Sequence, residues 1–422
     1  MSSSIKRILP ELLAPAGSFA IAEAAFDHGA DAIYIGLEQF NLRAHSPNFT
    51  AGDIPELMSM AEKRGKRVYA ALNILPDDKK LCGIRDLLLQ LKKAGSVPHA
   101  LIISDPGVLL ACREILPGLH LHLSTQTGSF NSQALRFWKE QGITRAVLPR
   151  ELSLDQISRI NSCGVIETEA FIHGAMCVSI SGRCLLGAYI DQRHPNFGDC
   201  AQPCRLRYRI APVKVGTGEV GEWLDAEENE EGVYLLNSKD LCTIEILPQI
   251  LGTGLSSLKI EGRNKSIHYV STVIKVYREA LDTISNGLPY TVKPEWKSEL
   301  EKVEHRPYTT GFYAGETMLQ EVFSSKASSG SRVMGIVKGL LQGGDPVIDV
   351  KNSFSAGEKL EVLPVKQSSA PFEITFTSLC DLSGNAVSYV PSSRLVTGKT
   401  DKKLRAGDML RKLSKPGEET AV

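Results

Sequence analysis

The chain has no apolar run near the ~20 residues that a membrane-spanning helix needs, and Met1-Ser-Ser-Ser-Ile-Lys-Arg7 lacks the apolar core of a secretory signal. The expectation is a cytoplasmic protein with no membrane partner. It also lacks charge of one sign. Lys plus Arg and Asp plus Glu number 48 each, so a nucleic-acid surface would have to be a local patch. No GxGxxG follows the first apolar strand, which argues against a dinucleotide there. Neither GxSxG nor HExxH occurs, which removes two familiar hydrolase signatures. A disulfide framework is not expected from nine Cys in a reducing compartment.

What is present is a rhythm. Short apolar strands at 11–14, 32–35, 67–72, 100–103, 119–123, 146–148, 166–172 and 257–260 alternate with amphipathic helices such as 19–28, 54–64, 84–94, 131–141 and 154–162. Several of these helices end in Gly, among them Gly95 and Gly142, as a left-handed cap requires. Strands alternating with helices pair in parallel, because parallel neighbours need a crossover. An open doubly wound sheet and a closed barrel compete, and eight units over about 270 residues fit the barrel. The fold class read from sequence is therefore α/β, a TIM-barrel-like parallel (β/α) barrel over 1–290. A linker is expected over 291–330. Short alternating runs at 333–337, 347–350, 360–363 and 372–376 predict a small all-β, barrel-like domain over 331–415.

The rhythm breaks once, in an insertion over 174–233 rich in Cys, Arg, Gly and Pro. It follows the seventh strand at its C-terminal end, the face where barrel enzymes do their chemistry. Four of the nine Cys lie at this break: Cys177, Cys184, Cys200 and Cys204. Thiolates select zinc or iron–sulfur clusters over hard metals. Structural zinc favours two tight pairs, and only Cys200 and Cys204 form one. The looser spacing suits a cubane cluster, with zinc or no metal as alternatives. Cys242 is a spare thiol that could replace one ligand. Arg183 and Arg205 would lower thiol pKa values nearby.

The run Glu169-Ala-Phe-Ile-His-Gly-Ala-Met-Cys177, continuing through Cys184 to Gly187, resembles the signature of the collagenase-like peptidase family, whose catalytic type is unassigned. Further matching segments are 11–17, 198–205, 234–241, 257–263 and 305–313, so the resemblance covers almost the whole chain. Within the family the chain looks most like the tRNA hydroxylation branch. That resemblance implies a 4Fe-4S cluster on Cys177, Cys184, Cys200 and Cys204. It also implies prephenate-dependent formation of 5-hydroxyuridine at the wobble position, with the tRNA anticodon stem-loop and a redox protein as partners. Sister branches hydroxylate a ribosomal RNA cytidine or a quinone. Proteolysis, with Cys177 or Cys184 and His173 as a dyad, is the alternative activity, and a non-catalytic RNA scaffold is a third reading.

Individual residues follow from position. Strand alternation puts Glu169, Phe171 and His173 on one face, so Glu169 and His173 are expected at the barrel mouth as proton carriers or substrate ligands. Arg183, between two candidate ligands, is grouped with them, as is Glu261. Alternation also puts Lys259, Glu261 and Arg263 on one side at the end of the eighth strand. An internal salt-bridge network explains that trio nearly as well. Arg43 and His45, after the second strand, and Gln126, after the fifth, are candidates for a carboxylate or phosphate ligand. Tyr34 and Tyr189 are candidates to stack on a flipped base. Basic runs at Arg205, Arg207, Arg209 and Lys214, and at Lys399, Lys402, Lys403, Arg405, Arg411 and Lys412, could hold RNA phosphates.

Overall fold

The structure, a computed structural model, describes residues 9–37, 40–43, 47–177, 179–180, 183–184, 186, 188, 193–199, 203, 238–315, 330–366 and 369–413. Strands β1 (Glu11–Pro15), β2 (Ala32–Gly36), β3 (Arg67–Leu72), β4 (Ala100–Ile103), β5 (His120–Leu123), β6 (Arg145–Val147) and β7 (Glu167–Ala175) pair in parallel, each with the next. β8 (Asp240–Cys242) runs antiparallel to the end of β7. β9 (Ser257–Ile260) then pairs in parallel with both β1 and β7, which closes an eight-stranded barrel.

Helices α1 (Phe19–Asp27), α2 (Ile54–Glu62), α3 (Asp78–Ala94), α4 (Pro106–Ile115), α5 (Ser132–Glu140) and α6 (Leu154–Ser162) wrap the outside, followed by α7 (Leu247–Gly252) and α8 (Ile267–Ser285). Side-chain caps fix their starts: the Ile21 amide donates to Ser18, the Lys80 amide to Asp77 and the Ala134 amide to Asn131. The Asp77 cap starts α3 ahead of the expected 84–94, and Gly95 closes it at φ +67°. Apolar residues on the outer face of the strands, such as Leu12, Ile33, Leu258 and Ile260, share the main core with the helices. No helix among the described residues is long and apolar enough to cross a membrane.

The barrel interior is of a different kind. Leu13, Ala32, Tyr34, Tyr69, Ala100 and Ile102 make a small apolar cluster there. Beside it lies a buried charged layer. Arg145 Nη1 is 2.6 Å from Glu11 Oε1 and 3.6 Å from Glu169 Oε2, and Lys259 Nζ is 2.8 Å from Glu169 Oε1. Tyr69 donates to Glu11 at 2.7 Å. Charges at these depths persist only when paired.

The span 291–330, expected as a linker, is more than a connection. It holds α9 (Pro294–Glu301), whose Trp296 and Leu300 are buried in the main core, and β10 (Tyr308–Thr309), which pairs in parallel with β8. Beyond it, β11 (Ser331–Leu340), β12 (Pro346–Val350), β14 (Lys359–Leu363), β15 (Phe372–Asp381), β18 (Leu395–Thr400) and β19 (Met409–Leu413) form an antiparallel barrel closed by the β14–β15 pairing. β16 (Ala386–Val387) extends it, and β13 (Phe354–Ser355) pairs with β17 (Tyr389–Val390). Arg411 fastens this domain to the first. It is wholly buried, 2.7 Å from both Glu299 of α9 and Glu361 of β14. It therefore cannot belong to an exposed RNA-binding run, because both of its charge partners lie in the protein.

Candidate functional site at the barrel mouth

At the C-terminal ends of the parallel strands lies a cavity of about 170 Å³. Three of its cationic side chains face one carboxylate. Glu261, one residue past β9, lies 3.5 Å from Arg43 and 4.0 Å from Arg150, and Tyr34 donates to it at 3.2 Å. Burial alone would raise the Glu261 carboxyl, but Arg43, Arg150 and Arg263 outweigh burial and hold it below the ordinary carboxylate range. Glu261 is therefore ionised at neutral pH. Burial, with Glu261 beside it, raises the Tyr34 phenol, which stays protonated and donates.

Arg263 is threaded beneath this group. Its Nη2 donates to Asn41 at 2.5 Å and its Nη1 to Asn48 at 3.4 Å. Burial lowers its pKa to about 10. Its path runs over Gly36 at the end of β2, where a Cβ would sit 1.8 Å from Nη1, so the bed for this side chain exists only because residue 36 is glycine. Lys259 forms the cavity floor, paired with Glu169 and lying 4.4 Å over the Tyr34 ring. Lys259, Glu261 and Arg263 all line the cavity, and Lys259 also belongs to the internal ion-pair network.

Neutral side chains complete the lining. Asn73, one residue past β3, and Gln126, in the turn Thr125–Thr127 after β5, both line the cavity together with Ser124. Ser104 donates to Gln126 Oε1 at 2.8 Å. Ile102, Val147 and Phe171 supply apolar surface, and Arg150 stacks 3.7 Å over the Phe171 ring. The described part of the insertion closes the rim. Pro195 and Asn196 line the cavity, Leu75 N donates to Asn196 O at 3.0 Å, and Arg43 bridges to Asp199.

Cys177 and Cys184 line the same cavity, and neither is in a disulfide. Cys200 and Cys204, with His45, Tyr189, Arg205, Arg207, Arg209 and Lys214, lie outside the described residues. Among the described residues no group of three His, Cys, Asp or Glu side chains is placed to hold a metal ion. The two described thiols do suit a thiolate-bound cluster. They line one cavity, and the Leu186 amide donates to Cys184 Sγ at 3.4 Å.

Three expected residues are placed elsewhere. His173 does not face the mouth. A bulge between Phe171 and His173, opposite Lys259 and Ile260 of β9, breaks the alternation and turns His173 outward. There it packs against Tyr269, Tyr277 and Tyr308, its Nδ1 3.4 Å from the Tyr277 hydroxyl. Burial pushes it down to about 3, with His305 and Lys265 adding to the effect. It is neutral and no partner for a cavity thiol, and no histidine lines the cavity among the described residues. Glu169 is fully buried below the floor, held ionised by Lys259 and Arg145 against the cost of burial. Arg183 is exposed, its Nη2 3.4 Å from Thr127 O, and does not line the cavity. Arg150 and Asn73 were not singled out from sequence. The available signal was their place just beyond the ends of β6 and β3, the end that builds barrel active sites.

The sequence model for Peptidase family U32 matches residues 17–322, and that for the Peptidase family U32 C-terminal domain matches 330–411. The chain is 35% identical over 415 residues to the tRNA hydroxylation protein P1 of Bacillus subtilis, covering 96% of each. It is 35% identical over 394 residues to the tRNA hydroxylation protein P of Escherichia coli, covering 84% of this chain and 86% of that one. A collagenase of Porphyromonas gingivalis is 33% identical over 324 residues, covering 73% of this chain and 74% of that protein.

Proposed function

This chain belongs to peptidase family U32 through both of its domains, and from that premise we propose that it is an iron–sulfur RNA-modifying enzyme that hydroxylates the wobble uridine of tRNA to 5-hydroxyuridine. The observation that carries the reading is the meeting of two kinds of side chain in one cavity. Cys177 and Cys184 line the same walls as Arg43, Arg150, Lys259 and Arg263. The name of the B. subtilis relative, matched along 96% of both chains, supports the reaction class.

In this reading Cys177, Cys184, Cys200 and Cys204 hold a 4Fe-4S cluster. Such a cluster supplies one-electron transfer at the rim of the cavity. The rest falls to the chain's own side chains. Among the described residues Lys259 pairs with Glu169, while Arg43, Arg150 and Arg263 gather around Glu261. Guanidinium groups bind carboxylates through paired hydrogen bonds, and prephenate, with two carboxylates, is the proposed co-substrate. Tyr34 donates a hydrogen bond and the ionised Glu261 accepts one at the same wall. The anticodon stem-loop and a redox protein are the proposed partners.

The test is nucleoside mass spectrometry of tRNA from a strain with and without the gene. The hydroxylated uridine should vanish without it and return with the wild-type gene, but not with Cys200→Ala. Unchanged tRNA in the deletion strain would overturn the reaction. Protein purified without oxygen that contains neither iron nor acid-labile sulfide would overturn the cluster.

A further inference from the structure

We propose that Asn73 and Gln126 read the edge of a pyrimidine base drawn into the mouth cavity. The inference rests on the RNA-modifying reading above and names the residues that recognise its substrate base. Each carboxamide is held by one serine, and that serine also meets the backbone of the other residue. Ser104 donates to Gln126 Oε1 at 2.8 Å and lies 3.3 Å from Asn73 O. Asn73 Nδ2 donates to Ser124 Oγ at 3.4 Å, and the Gln126 amide N–H points to the same oxygen at 3.5 Å. Each amide thus keeps one polar atom in reserve. Gln126 Nε2 and Asn73 Oδ1 are both shut off from solvent and have no hydrogen-bond partner among the described residues. Gln126 itself is 3% exposed.

Two such atoms on one wall are expensive, because an unsatisfied buried polar group forfeits its hydration. Both residues line the cavity, so a side-chain turn that brings each atom to its surface would let an entering ligand supply the missing partners. The chemistry of the pair narrows that ligand. One N–H donor and one C=O acceptor do not suit a carboxylate or phosphate, which only accepts and would meet the Asn73 carbonyl with repulsion. They do suit a base edge that offers an acceptor beside a donor. In uracil, N3–H would donate to Asn73 Oδ1 and the neighbouring carbonyl would accept from Gln126 Nε2.

Size and the remaining walls agree. A cavity of ~150 Å³ holds benzene, and this one measures about 170 Å³, room for one six-membered ring at a time, so the base and prephenate would enter in turn. Ile102, Val147 and Phe171 offer apolar contact for the ring faces. Arg43, Arg150 and Arg263 line the same cavity around Glu261. The cavity therefore brings a neutral base-reading pair together with a cluster of cationic side chains.

The test compares two short RNAs of equal length, one with a central uridine and one with a central N3-methyluridine, binding to the full-length protein prepared without oxygen. Fluorescence anisotropy gives both dissociation constants. Wild type should bind the methylated RNA about tenfold to 100-fold more weakly. Asn73→Ala and Gln126→Ala should bring the two RNAs to near equality. The isosteric Asn73→Asp and Gln126→Glu serve if either alanine variant unfolds. Equal binding of both RNAs by wild type, binding of neither, or full discrimination in folded variants would overturn the proposal. Intact discrimination in a protein whose deletion leaves the tRNA nucleosides unchanged would instead sink the assigned reaction and leave the base-reading pair standing.

Discussion

Lys259→Met tests whether the charged interior of the barrel is held by pairing. Lys259 and Glu169 have side chains 5% and 1% exposed, 2.8 Å apart. The other cation near Glu169, Arg145, is 3.6 Å away and is shared with Glu11 at 2.6 Å and Glu167 at 2.8 Å. Methionine keeps the length and most of the volume of lysine, so little packing is lost. Glu169 would be left buried with a distant, shared partner. Breaking a buried pair in this way costs about 3–5 kcal/mol. The carboxylate can escape part of that cost by taking up a proton, at about 1.4 kcal/mol for each unit its pKa rises.

The sign of the pH dependence then reverses at this site. In wild type Glu169 is depressed below its unfolded value, so its contribution is present at neutral pH and lost as pH falls through the folded pKa. In Lys259→Met the folded pKa is raised, so that site becomes less destabilising as pH falls. Urea unfolding at pH 7.5 should show the full loss. Adding Glu169→Gln should recover most of it, because no charge is then stranded. A loss below ~1 kcal/mol for the single variant, or no recovery in the double variant, would refute the account.

Gly36→Ala drives a Cβ to 1.8 Å from Arg263 Nη1 and 2.2 Å from Asn48 Oδ1. Thermal unfolding should show an overpacking cost of about 1–3 kcal/mol; an unshifted midpoint would mean that Arg263 has another place to go. Arg411→Met leaves Glu299 and Glu361 to share Lys302, 2.7 and 3.0 Å away, between the domains. Limited proteolysis should cut the C-terminal domain faster in this variant; an unchanged cleavage rate would refute that. Burial holds His122, His173 and His268 down to about 3 and His28 to about 4. Unfolded histidines bind protons near pH ~6.5 and these do not, so stability is full above that pH and falls below it, by up to about 1.4 kcal/mol per pH unit for each. The four together approach a whole domain's stability of ~5–15 kcal/mol within two pH units. Circular dichroism should therefore show acid unfolding beginning near pH ~5, and a fold intact at pH ~4 would contradict these pKa values.

The sequence by itself determined what depends on local periodicity. The strand–helix rhythm required parallel pairing, and the number of units pointed to a closed cylinder. The end of the eighth strand put Lys259, Glu261 and Arg263 on one side by simple alternation, and all three line the cavity. The break after the seventh strand located the mouth, where Cys177 and Cys184 lie.

Tertiary structure decided whatever depends on partners far away in the chain. Alternation carried His173 inward on paper. The bulge opposite β9 turned it outward, because β7 must serve β9 on one side and β8 on the other. Arg411 read as one of a basic run, yet it is wholly buried, since Glu299 lies 112 residues away in sequence and arrives only with the fold. Arg150 and Asn73 carry no motif; closure of the barrel alone sets them at one cavity. A local pattern records the period of the chain next to each residue. Burial, register and charge pairing are properties of surfaces that meet, and those surfaces exist only after the strands have closed.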